Sequence, residues 1–97
     1  MKHIKTLTPA PNSFGFKYYT DLMNVWDRLT KEYGWIYPPG TDESEDPKII
    51  FNHQKQFVDY SKSLIVVQIP GWEELKEVDM LIEYCLDRQY DVEYVNI

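Results

Sequence analysis

The sequence predicts an α/β fold: a small three-layer domain built on a parallel sheet of about four strands with three helices. Three observations carry this expectation. Short β-branched or aromatic runs alternate with stretches whose apolar residues recur at helical spacing, in the order β-α-β-α-β-α-β. The run Leu64, Ile65, Val66, Val67 is apolar without alternation, which suits a strand buried on both faces of a parallel sheet. The length of 97 residues suits a single domain with one core, spanning residues 1–97.

The first strand is expected over residues 4–8, ended by Pro9 and Pro11, with a turn at 12–15. From Lys17 to Tyr33 the residues Tyr18, Leu22, Val25, Trp26 and Leu29 fall on one helical face, and Gly34 is a fitting stop. Trp35, Ile36 and Tyr37 form a second short strand, closed by Pro38, Pro39 and Gly40. Asp46 followed by Pro47 opens a helix to about Tyr60, with Asp as cap and Pro in the first turn. That helix is expected to bury Ile50, Phe57 and Val58 beside Phe51. The third strand runs over 63–69 and is broken by Pro70 and Gly71. The third helix is expected over 73–88, with Leu75, Val78, Ile82, Cys85 and Leu86 as its apolar stripe. Residues 92–95 make the last strand, and right-handed crossovers join the units.

Charge narrows the function. Hydrophobic residues are 43% of the chain and aromatics 15%, too many for a disordered acidic tail. The net charge is −6, and it is polarised: residues 1–41 carry +2, residues 42–70 carry −2 and residues 71–97 carry −6. Direct binding to DNA or RNA needs a basic face, so it is not expected. No apolar run reaches the roughly 18 residues of a membrane span, and no signal peptide opens the chain. Cys85 is the single cysteine, so an internal disulfide is impossible and a reducing cytoplasm is the expected setting.

The usual chemical motifs are missing. His3 and His53 have no short metal-ligand spacing with Cys85 or a carboxylate, so no metal or other cofactor is expected. Cys85 lies on an apolar stripe and reads as a core residue. The four glycines stand far apart and form no phosphate loop, and there is no nucleophile-elbow motif.

The stretch from Leu64 through Gln68, Ile69, Pro70, Gly71, Trp72 and Glu73, then a helix, then Asp91 to Val95, resembles the nucleoside 2-deoxyribosyltransferase-like family. The resemblance implies a flavodoxin-like or Rossmann-like parallel sheet. In its register the family's Ser falls at Leu75, its Gly at Glu77 and its catalytic Glu at Leu81. The Asp expected at the head of the buried strand falls at Ser63 or Leu64. Leu81 cannot attack an anomeric carbon, and Glu83 lies about 200° further round the helix. The resemblance therefore implies a degenerate domain with no catalytic residues, and the chain is not expected to be an enzyme.

Its acids are the stronger lead. At 100° per residue Glu73, Glu77, Glu83 and Asp87 fall within about 120° of one another, opposite Leu75, Val78, Ile82 and Cys85. Steps of four residues set carboxylates about 6 Å apart along the axis, comparable with phosphates along a nucleic acid strand. Glu74, Asp79, Asp91 and Glu93 widen this patch, and Asp42, Glu43, Glu45 and Asp46 offer a second row. Lys76 and Arg88 are too few to neutralise it. Ten of the eleven Tyr and Trp residues, those at 18, 19, 33, 35, 37, 60, 72, 84, 90 and 94, exceed one small core, and Trp72 is the expected interface anchor.

These features favour a non-enzymatic acidic protein whose partner is a basic, DNA-binding host protein. In type it is similar to the small DNA-mimic inhibitors that phages make during host takeover, such as those directed at the histone-like nucleoid protein HU. The alternative is a catalytically dead domain that holds a nucleoside or nucleotide in the crevice beyond the strand ends, near residues 8–11, 37–40 and 70–72.

Overall fold

A computed structural model describes residues 5–15, 17–37 and 46–97. Its elements run β1 (Lys5–Thr8), a 3₁₀ turn (Pro11–Phe14), α1 (Tyr19–Tyr33), β2 (Ile36–Tyr37), α2 (Pro47–Ser61), β3 (Ser63–Val67), a second 3₁₀ turn (Trp72–Glu74), α3 (Lys76–Asp87) and β4 (Asp91–Val95). The four strands form one sheet in the order β2-β1-β3-β4, and every pairing is parallel. This is the small α/β architecture of flavodoxin-like folds, and the strand order reverses between β1 and β3.

The layers follow from the burial pattern. All five residues of β3 are buried, because it lies between β1 and β4 with helices on both faces. Leu7, Ile65 and Val67 pack on one face against Leu22, Val25 and Leu29 of α1. Leu64 and Val66 pack on the other face against Val58 of α2 and Val78, Leu81 and Cys85 of α3. Gly34 caps α1 with a positive φ of 97°, donating its N–H to Thr30 O. Asp46 caps α2 by accepting a 2.9 Å hydrogen bond from Lys48 N, with Pro47 in the first turn.

Two helical faces differ from expectation. Phe57 is exposed, and Gln54 is buried instead, where its Oε1 accepts from Thr8 Oγ1 at 3.0 Å and its Nε2 donates to Leu7 O. A polar side chain one turn before Val58 is thus recruited to the end of β1, a pairing that hydrophobic periodicity does not report. The second difference is in α3, which begins at Lys76 rather than Glu73. Its inward face is Glu77, Val78, Leu81 and Cys85, while Leu86 is 62% exposed. Residues 77, 81 and 85 form a row at spacing four that is buried with Val78, whereas Ile82 lies at its edge and Leu86 turns to solvent.

Candidate acidic interface and the strand-end crevice

The shift in α3 rearranges the acids. Glu77 is only 2% exposed, and its Oε1 accepts a 2.5 Å hydrogen bond from Ser13 Oγ of the first 3₁₀ turn. It belongs to the interior and is removed from the expected partner-binding array. The physical reason is position: in the first turn of α3 it points back towards the end of β1, where a hydroxyl meets it. Glu73 and Glu74 are exposed, but they sit in the second 3₁₀ turn and not in the helix. Asp79, Glu83 and Asp87 replace Glu77 as the outward row. They are all exposed, step along α3 at one-turn intervals and sweep about 80° of its surface. Among the described residues none of these three forms an ion pair.

The remaining acids are divided. Asp91 is exposed at the start of β4, while Glu93 Oε1 is paired with Lys5 Nζ at 2.9 Å. Asp46 is exposed and serves as the α2 cap. Asp42, Glu43 and Glu45 lie outside the described residues.

Trp72 is half-buried, packs against both core clusters and lies 5.7 Å from Tyr94, ring to ring. It closes the end of the sheet and still presents part of its surface. Of the other aromatics, Trp35 and Tyr60 are more than 70% exposed. Tyr84 and Tyr90 instead turn inward to share Asp59: both Asp59 oxygens accept from Tyr84 Oη at 2.7 Å, and Oδ1 accepts from Tyr90 Oη at 3.1 Å. Burial, the Asp59 hydrogen bond and its charge push both phenols above their usual pKa. Arg88 lies over the Tyr84 ring, 3.7 Å from its centroid, and moderates the rise.

At the switch point between β1 and β3 the Phe14 ring lies against Gly71. Gly71 has a φ of 85°, and a Cβ there would lie 3.1 Å from Phe14 Cζ. Phe14 packs against the cores on both faces, and the Ser13–Glu77 bond lies beside it. Tyr37, from the second expected wall, packs instead on Phe57, with ring centroids 4.8 Å apart; residues 38–40 of that wall lie outside the described residues. An open depression of about 340 Å³ lies at the ends of β3 and β4, and its lining of Gln68, Pro70, Gly71, Trp72, Glu73 and Asn96 includes the expected wall at 70–72.

Leu81, where the resemblance places a nucleophile, is fully buried between Val78 and Cys85. Burial, with Asp59 nearby, pushes the Cys85 thiol up to about 11, so it is protonated and enclosed at neutral pH. Among the described residues no cluster of three His, Cys, Asp or Glu side chains is placed to hold a metal ion. No described helix is long and apolar enough to cross a membrane. Comparison with protein-family models, curated proteins and solved structures finds no match.

Proposed function

We propose that this chain is a non-enzymatic binding protein that presents carboxylates in place of nucleic acid phosphates and blocks the basic surface of a DNA-binding protein. The observation that carries this reading is the row Asp79, Glu83 and Asp87, exposed on one face of α3 without ion-pair partners among the described residues. Carboxylates about 6 Å apart on a rigid helix match a groove whose lysines and arginines are spaced for phosphates. Glu73 and Glu74 on the adjoining turn, and Asp91 at the start of β4, extend the negative field. The partner this fits is a basic host protein of the HU-like nucleoid class, and the setting is the cytoplasm in which such proteins work. Leu81 in the core, where a degenerate deoxyribosyltransferase-like domain would need its nucleophile, supports a binding role over catalysis. A nucleoside-holding role is less favoured, because among the described residues the depression at residues 70–72 is lined by the Glu73 carboxylate and by no Lys or Arg that would meet a phosphate.

The test is competition. A purified HU-type nucleoid protein bound to a fluorescent DNA duplex is titrated with this chain, and displacement is read by anisotropy. Displacement that weakens as salt rises, and that is lost in Asp79→Lys/Glu83→Lys/Asp87→Lys, is expected. Failure of the native chain to displace DNA at low salt overturns the proposal for this class of partner.

A further inference from the structure

The depression beyond β3 and β4 has a composition unlike the rest of the acidic surface. Gln68 N donates to Val95 O at 2.8 Å, which ties the two strand exits together and sets Gln68 and Asn96 side by side. Gly71 then turns the chain with its positive φ, which brings Trp72 and Glu73 to the rim. Trp72 is held by the core and by Tyr94, so it forms a fixed wall. One site therefore combines an aromatic wall, a solvent-exposed carboxylate and two amide side chains.

We infer that this depression receives an arginine side chain of the basic partner, its guanidinium stacked on Trp72 and paired with Glu73. The inference rests on the acidic-interface reading above. A guanidinium is planar, stacks on aromatic rings and carries five N–H donors, which the carboxylate and amide oxygens here can accept. A lysine ammonium has the charge but not the plane, and it is more strongly hydrated. The chain already uses this combination once, where Arg88 lies over Tyr84 with its Nε 3.9 Å from Asp59 Oδ1. The strand end itself also accepts a guanidinium: Arg28 Nη2 donates to Asn96 O at 3.3 Å. Arg28 is exposed at that rim and competes with an incoming cation.

The experiment uses ¹⁵N-labelled full chain titrated with hexa-arginine and, separately, hexa-lysine at equal ionic strength. Hexa-arginine is expected to bind roughly three- to fivefold more tightly, moving the Trp72 indole and the Gln68 and Asn96 amide resonances. Glu73→Gln should erase that preference, and Arg28→Ala should increase it. Asp79→Asn/Glu83→Asn/Asp87→Asn should weaken both peptides alike. Equal affinities, with shifts confined to the outer face of α3, overturn the arginine site and leave the acidic interface standing. Binding of neither peptide overturns both.

Discussion

Ser13 Oγ donates a 2.5 Å hydrogen bond to Glu77 Oε1 across sixty-four residues of sequence, tying the turn after β1 to the first turn of α3. These are the loops that leave the two central strands at the switch point, so the bond fastens the place where an open α/β sheet would otherwise part. Ser13→Ala should lower stability by about 1–3 kcal/mol, because the buried carboxyl loses its hydroxyl partner. Glu77→Gln, which can still accept from Ser13, should cost less. Neither change should alter DNA displacement, since Glu77 lies in the interior. Chemical denaturation and the competition assay read the two effects separately, and a loss of displacement in folded Glu77→Gln would return Glu77 to the interface.

Gly71 stands in the left-handed region with the Phe14 ring against it. Gly71→Ala should destabilise by about 1–2 kcal/mol from backbone conformation alone. Gly71→Asn should be milder on the backbone, since Asn tolerates that region better. Phe14→Leu should relieve the contact but not the backbone cost. Melting temperatures of the single and double variants separate the two contributions, and a neutral Gly71→Ala would refute this account of the turn.

Asp59 joins α2 to α3 through Tyr84 and to the turn before β4 through Tyr90. Asp59→Ala should lower the melting temperature, since two phenol hydroxyls lose their acceptor. It should also lower the pH at which the Tyr84 and Tyr90 phenols ionise, because Asp59 helps to raise both. Ultraviolet titration of phenolate formation checks this; an unchanged titration curve would exclude Asp59 as a cause of the shift.

Cys85 supplies the pH prediction. Its folded pKa is raised from 9.0 to about 11, so between these values the unfolded chain has given up a proton that the folded chain keeps. Stability from this group is therefore fully present below pH 9 and lost as pH rises towards 11, with a slope of at most about 1.4 kcal/mol per pH unit. Cys85→Ala should flatten that part of the curve. Urea midpoints measured from pH 8 to 11 decide it, and an identical slope in both proteins would contradict the assignment.

The fold class was legible in the sequence because it is written locally. An unbroken apolar run sets a two-faced strand, as at Leu64 to Val67, and Asp46–Pro47 and Gly34 mark helix ends by their own backbone chemistry. The polarity of the chain, with its acids gathered after Gly71, is likewise a property of composition that no packing can change. From these alone come the parallel four-stranded sheet, its three helices and an acidic C-terminal quarter.

Which acids face outward was decided only in three dimensions. Glu77 and Asp79 lie about 200° apart on a helix, and the rotation of α3 against the sheet turns Glu77 inward and Asp79 outward. Helical spacing reports relative angles along one element but not its rotation against the sheet. That rotation is set by contacts distant in sequence, with Leu81 and Cys85 seated on Leu64 and Val66 and a hydroxyl from Ser13 reaching Glu77. The Gln54–Thr8 pair and the sharing of Asp59 by two tyrosines were hidden for the same reason. A buried polar side chain is stable only with its partner, and the partner is chosen by tertiary structure.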